Sequence, residues 1–472
     1  MDERNTENPR PVSPRRHQRS KIQEFKETYL PIAIAALALL LIAVFIIGAI
    51  GRSIQKNKLI SEANQAASES AAALKAQQDQ EARSLLEQAA EQAAGFNYLG
   101  AVDTIDSFSG NIADYPDLQR SRQEYLSAQE SLVLWEDPSQ IMNLSFQTLI
   151  ADTARAFTDE VYGSSYNQNF VTTGEFSKIL QQLYDNGYIL VSLSDFITTS
   201  TGEDGQTIYV EKPLYLPPDK KPVMITQTNV NYNLYMVDGD GDGYPDKDGA
   251  GFASRLVLDG SGKVTAEMVD ANGSTITGAY DLVPILDEFI AAHPDFSYNG
   301  ARAILALTGY TGLFGYRTNG NALEKYGEEI YNAQLQGAAD IADALRDSGY
   351  VLAFYTYDNI AYGSATLSEL QDDLALWQEQ AEPILGKVDI LAFAKESELS
   401  SYSGEMFDAL MNAGFRYYLG FSFSGFDNLQ LDSTYVRQSR LLVTGYNMAE
   451  NGSMFSGLFD PAAVLDTTRS GF

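Results

Sequence analysis

The chain has no cysteine and only two histidines among its 472 residues. Without cysteine, neither a disulfide nor a thiolate metal site can form. Of the histidines, His17 precedes a long apolar run, so His293 is the sole imidazole in the remainder. A metal site built on two histidines is therefore excluded there. Basic residues are also scarce: 32 Lys and Arg stand against 63 Asp and Glu, a formal charge of −31. That balance argues against a nucleic-acid partner, whose phosphates need a basic surface.

What the chain does have begins with residues 28–51, which carry no charge. Their core, LPIAIAALALLLIAVFIIGAI, is long enough to span a bilayer as one helix. Pro31 sits in its first turn, where a missing N–H costs little. A cleaved signal peptide is the rival reading, but its apolar region would be about 7–15 residues and would end at a small-residue site. This run is longer, and IIGAIGRS is a poor match to such a site. Residues 1–28 hold seven Lys or Arg and five Asp or Glu, whereas the other flank has Arg52, Lys56 and Lys58 and then turns acidic. Positive charge stays inside. The expectation is a single-pass anchor, N-terminus cytoplasmic, with an acidic, cysteine-free ectodomain on a Gram-positive type of cell surface.

Residues 58–94 are rich in Ala, Gln, Glu and Ser without Pro or Gly, which favours one continuous helix. Their apolar positions are mostly alanine, so a stalk is expected over 52–94, with a coiled-coil dimer as the alternative. Gly95 ends it. Residues 99–108 and 118–134 read as two more helices, and AGFNYLGAVDTIDSF has the spacing of a tetratricopeptide-like hairpin. A small helical module is expected over 95–135. One copy of such a repeat needs neighbours to bury a core.

From about residue 140, helices and strands alternate. Thr172 and Glu175 make a capping box ahead of Phe176, Ile179, Leu180 and Leu183. Strands are expected over 189–193, 222–226, Arg255–Leu258, 301–307, 350–356, 388–393, 416–421 and 440–444. Helices are expected over 172–187, 280–292, 326–348, 366–385 and Glu405–Ala413. This rhythm predicts an α/β fold, a parallel sheet closed or nearly closed into a barrel. Chemistry in such folds sits at the C-terminal ends of strands. The stretch YVLAFYTYDNIAYG (350–363) is such an end, with hydroxyls, Asp358 and Asn359, but no histidine.

The segments YNQNFVTTGEFSKILQQLYDNGYILVSLSDF (166–196), GFASRLVLDGSGKVT (251–265), YDLVPILDEFIAAHPDFSYNGARAILALTGYTGLFGYRT (280–318) and LFDPAAVLD (458–466) carry a likeness. Residues 140–472 resemble the polysaccharide deacetylase family with the NodB-type domain, in its membrane-anchored Firmicutes form. The resemblance implies a distorted (β/α) barrel that removes acetyl groups from cell-wall or other glycans. It implies two adjacent aspartates at a strand end, one a base and one a metal ligand; in PVMITQTNV those places hold Thr228 and Asn229. It implies two histidines four apart; here Tyr355 and Asn359 stand there. A third motif, a turn near the oxyanion, falls on FAKE (393–396). The scaffold matches, and the chemical positions do not.

Asn229 and Asn359 nearly keep the size of Asp and His but are neutral. They can hydrogen-bond a sugar; they cannot hold a divalent cation or act as a general base. No catalytic zinc is expected. Asp358 reads as a loop acid beside the site, and His293, in AAHPDF, as a capping or surface histidine. Ligand contacts are expected from Thr228, Asn229, Tyr355, Asp358 and Asn359, with Tyr232, Tyr235, Tyr310, Tyr316, Tyr355, Tyr357 and Tyr362 around the cleft. Separately, VDGDGDGYPDKDGAG (237–251) sets Asp238, Asp240, Asp242 and Asp246 at positions 1, 3, 5 and 9 of a calcium-loop pattern, with Gly243 at position 6. Position 12 is Gly249 where a bidentate Glu belongs, so calcium is expected to be held, if at all, without an EF-hand. The function expected is that of a glycan-binding or scaffold pseudoenzyme of the envelope. The alternatives are an active glycan deacetylase or other hydrolase of carbon–nitrogen bonds with an atypical site, and a protein-binding partner in cell-wall assembly.

Overall fold

The computed structural model describes residues 25–203, 205–469 and 471. The chain divides into two units, residues 1–81 and residues 82–472. The described part of the first unit is a π-helical turn (Phe25–Tyr29) followed by helix α1 (Leu30–Ala94), which crosses the division. The apolar run lies in α1, with its side chains exposed and none of its most apolar window buried. It is long and apolar enough to cross a membrane. Most of the expected cytoplasmic tail (1–28) lies outside the described residues.

The second unit opens on the last turns of α1. Ala82 and Ala89 pack with Ala101 and Ile105 of α2 (Tyr98–Asp106), with Phe108, and with Leu118 of α3 (Pro116–Glu130). Small residues let the helices approach closely. Asn97 caps α2 by accepting from the Gly100 amide at 3.1 Å, and Arg122 grips both oxygens of Asp106 at 2.6 and 2.9 Å. Helix α3 stops four residues short of the expected 134. Val133–Trp135 instead pairs antiparallel with Leu214–Leu216.

Beyond it lies a closed ring of seven parallel strands. In chain order the barrel segments are β1 (Met142–Phe146), α4 (Thr173–Asp185), β2 (Tyr188–Leu190), β3 (Lys221–Thr228), α5 (Leu282–Ala292), β4 (Ile304–Leu307), α6 (Glu328–Asp347), β5 (Val351–Phe354), α7 (Leu367–Gln380), β6 (Ile390–Ala392), α8 (Glu405–Ala413), β7 (Tyr417–Phe421) and β8 (Val436–Leu442). The ring runs β1–β3–β4–β5–β6–β7–β8 and back to β1. Strand β2 is not part of it. It occupies the first half of one edge of β3, pairing Tyr188–Leu190 with Lys221–Val223, while β4 takes Thr226–Thr228 further along that edge. The expected distorted (β/α) barrel is the fold observed.

Alternation of side chains along each strand divides the core into two shells. The outer shell sets Leu144, Val223, Ile225, Leu305, Leu352 and Leu391 against helix residues such as Leu180, Leu286, Ile341 and Trp377. The inner shell joins Met224, Ile304, Ala306, Ala353, Ile390, Ala392 and Leu419. Alanine on three neighbouring strands suits a ring this narrow. On the other side, β1, β3 and β8 contribute buried Asn143, Ser145, Thr226, Gln438 and Arg440. Asn143 accepts from the Thr226 hydroxyl at 2.8 Å and donates to Gln438 at 3.5 Å.

The capping box at α4 forms as expected: Glu175 accepts from the Thr172 amide at 2.8 Å, and Thr172 accepts from the Glu175 amide at 3.0 Å. Arg469 from the chain's far end also binds Glu175 at 2.6 Å, with both side chains buried. Arg255–Leu258, expected as a barrel strand, instead pairs with Val264–Val269, which pairs in turn with Thr275–Gly278 in a separate antiparallel sheet. Strand β8 begins at Val436, four residues before the expected 440.

A buried ion pair fastens the loop after β6 to β7 and β8. Glu398 takes Arg437 Nε at 2.6 Å and Nη2 at 2.9 Å, the Tyr402 hydroxyl at 2.6 Å and the Phe421 amide at 2.9 Å. The side chains of Arg437 and Glu398 are 0% and 3% exposed. Burial alone would raise the Glu398 pKa, yet the Arg437, Tyr402 and Phe421 contacts hold it below the ordinary value. A depressed carboxyl contributes stability above its unfolded-state range, and that contribution is lost as pH falls through the folded value. Glu398→Gln should cost about 3–5 kcal/mol by leaving Arg437 buried and uncompensated. Urea unfolding at neutral pH measures this cost, and the gap between variant and parent should narrow on acidification below the usual carboxylate range.

Candidate functional site

At the C-terminal ends of the strands lies a cavity of about 170 Å³. Thr228, Asn229, Tyr355 and Asn359 all line it, together with Ser145, Gln147, Lys395, Glu396, Phe421 and Arg440. The positions picked out from β3 and β5 thus meet in one place, and so do two residues of the FAKE segment. Asp358 does not join them: its side chain is outside the lining and exposed. Its amide donates to Asp373 at 2.7 Å.

The backbone around this cavity is unusual. Asn229 (φ 62), Thr356 (φ 56), Asn359 (φ 50), Lys395 (φ 51) and Glu396 (φ 53) all adopt the left-handed region. That region is uncommon outside glycine and most costly for a β-branched residue such as Thr356. Strain of this kind concentrates where surrounding structure holds it and where sites are built. Here the holders are visible. The Asn229 amide donates to Ala306 O at 2.9 Å, and its carbonyl accepts from the Thr148 hydroxyl at 3.0 Å. The Thr356 hydroxyl donates to Ile360 O at 3.2 Å. Buried Asp373 accepts the Tyr357 and Asp358 amides at 2.7 Å each and the Tyr362 hydroxyl at 2.7 Å, and so shapes the 350–363 loop.

Most of the tyrosines expected at the rim are structural. Tyr232, Tyr357 and Tyr362 are buried. Tyr232 donates to Asp281 at 2.5 Å and Tyr357 to Gln380 at 2.5 Å. Tyr235, Tyr310 and Tyr316 lie outside the lining, so Tyr355 is the tyrosine that faces the cavity. The reason is physical: a phenol buried with a partner for its hydroxyl fills space as well as any hydrocarbon.

Sequence reasoning missed Arg440. It is fully buried, donates from Nη2 to Phe393 O at 2.5 Å, and leaves Nε without a hydrogen-bond partner. Its guanidinium carbon lies 4.7 Å from the Phe421 ring centroid and 5.8 Å from that of Tyr355. Desolvation pulls its pKa below the ordinary arginine value. The available signal in VRQSRLL was spacing: on an extended chain Gln438 and Arg440, two residues apart, share the face of Val436.

The lining contains one carboxylate, Glu396, and neither histidine nor cysteine. Three protein ligands for a catalytic zinc are not present in it. His293 lies elsewhere, at the end of α5, its ring 4.5 Å from that of Tyr184 and 4.7 Å from that of Phe289. In the acidic loop, ligand oxygens of Asp238, Asp240 and Asp246 lie within 4.8 Å of one another; Asp242 is outside that group. Asp246 feels partial desolvation, but amides of Asp240, Gly239, Asp248 and Gly249 lower its pKa.

No family model matches the chain, and no curated protein matches it. Among solved structures, the chain is similar to that of the Streptococcus pyogenes deacetylase PplD in complex with acetate, at 12% identity, over 68% of this chain and 97% of that one, with a TM-score of 0.33. The strand pairing of the ring itself establishes the barrel. If the left-handed turn at Asn359 is held by its surroundings, Asn359→Val should cost about 1–3 kcal/mol and Asn359→Gly much less. Thermal unfolding of the two variants separates these outcomes; equal losses would contradict the assignment.

Proposed function

We propose that the protein is a membrane-anchored, extracytoplasmic deacetylase-like barrel that has lost its metal site and binds a cell-envelope glycan. The observation that carries this reading is the convergence of Thr228, Asn229, Tyr355 and Asn359 on one cavity at the strand ends. These are the places where the resemblance calls for a base and metal ligands. The residues present do not fit a metal, because the lining supplies a single carboxylate and no imidazole. They do fit a sugar: amides and hydroxyls for its hydroxyl groups, and an aromatic ring for its apolar face. In this reading α1 is the anchor, the basic N-terminal segment stays inside, and the barrel is exposed to the wall. Purified full-length protein should bind peptidoglycan or a wall polysaccharide saturably. Tyr355→Ala should weaken that binding about tenfold, or about 1.4 kcal/mol. Absence of saturable binding to any envelope glycan would refute the reading.

The acidic loop is proposed as a weak calcium site, with Asp238, Asp240 and Asp246 as ligands. Extracellular modules with dissociation constants of about 10⁻⁴–10⁻³ M are filled by ambient calcium. At ten times the dissociation constant, calcium should stabilise the fold by about 1.4 kcal/mol. Asp246→Asn should remove that gain in a melting experiment, and an unchanged gain would exclude this loop.

A further inference from the structure

The charge inside the cavity wall does not balance. Two arginines of β8, Arg437 and Arg440, are fully buried. One buried carboxylate, Glu398, lies close enough to act on both, and its oxygens already hold Arg437 at 2.6 and 2.9 Å. The hydrogen-bond partners of Arg440 are neutral, the Phe393 carbonyl and the Tyr355 hydroxyl, and its Nε is unpartnered. An unpaired buried charge is costly, so an excess of one positive charge at the base of a cavity calls for an anion. At the mouth, exposed Lys395 and Glu396 offset each other, leaving Arg440 to set the sign. This occurs in a chain of net charge −31, whose overall field repels anions. Attraction here must therefore be local.

We infer that the cavity recognises the carboxylate of an acidic sugar, with Arg440 as its charge partner and Ser145, Thr228, Asn229 and Asn359 placed for the sugar hydroxyls. This rests on the glycan-binding reading above and narrows it. A guanidinium binds a carboxylate through charge-assisted hydrogen bonds; in Arg440, Nη2 is taken by the Phe393 carbonyl and Nε has no protein partner. Phe421 and Tyr355 flank the guanidinium, and a cavity of about 170 Å³ has room for little more than a single sugar ring.

The test uses full-length protein in detergent micelles and three probes. These are a hyaluronan tetrasaccharide, the same tetrasaccharide with its carboxylates methyl-esterified, and the neutral chitin tetrasaccharide, each titrated by calorimetry at low and high salt. The expected result is that the acid binds at least tenfold more tightly than its ester, and that the ratio persists at high salt because the charge is buried. Arg440→Lys should bring that ratio down towards one. Because that substitution can disturb the barrel, the exposed Lys395→Gln and Glu396→Gln are measured too. They should weaken and strengthen acid binding by about threefold each. Equal affinity for acid and ester, or a preference that vanishes with salt, would overturn the inference. If the chitin tetrasaccharide still binds in that case, the glycan-binding reading survives without it; if none of the three binds, the inference fails, and binding to wall polysaccharide decides the broader reading.

Discussion

The fold depends on one strand edge shared between two partners. Strand β3 gives the start of one edge to β2 and the end of that edge to β4, while its other edge pairs with β1 along its length. Only the handover from Leu190 to Ile304 lets seven strands close, because an eighth full-length neighbour would widen the ring. Parallel strands are stable only when both faces are covered. Closure provides the inner cover with alanines and a polar arc, and the helices provide the outer one. The same handover frees the end of β3, so that Thr228 and Asn229 emerge beside β4 at the mouth of the barrel.

Site geometry then follows from backbone constraint more than from side-chain chemistry. Left-handed residues after β3, β5 and β6 turn the chain sharply as it leaves the ring. Buried acids, Asp281 and Asp373, secure the flanking loops from behind, and burial raises the pKa of each. Each acid is surrounded by donors: Asp281 accepts the Leu149 amide at 2.9 Å and the Gln227 amide group at 2.8 Å. These acids are scaffold parts, since their oxygens are occupied and they lie outside the cavity lining. Apart from Glu396 at the mouth, what lines the cavity is neutral or cationic, which favours binding over proton transfer.

The parts legible in the sequence were those governed by local rules. The capping box at Thr172, the helix Glu405–Ala413 and the apolar runs of β3 and β5 lie close to where their patterns place them. Strand β1 was missed because Asn143 and Ser145 break its apolar run; they face a polar arc that exists only once β1, β3 and β8 are adjacent. The same holds for the first half of β8, where Gln438 and Arg440 look like loop residues until closure turns them inward. The rim tyrosines erred in the opposite direction. Whether a tyrosine faces a cleft or the core depends on a distant partner such as Asp281 or Gln380, which no local pattern reveals. Thr228, Asn229, Tyr355 and Asn359 were grouped by the family resemblance, and their places at or just beyond the C-terminal ends of β3 and β5 bring them together. Asp358, one residue from Asn359, points elsewhere because the loop reverses through left-handed residues at that point.

The central claim is that this cavity binds without metal-dependent chemistry. Acetate release from acetylated peptidoglycan, measured with full-length protein supplied with zinc and then with chelator, addresses it most directly. The account predicts no release above background in either condition. Sustained release that chelator abolishes would contradict it and would place metal ligands outside the residues identified around Thr228, Asn229, Tyr355 and Asn359.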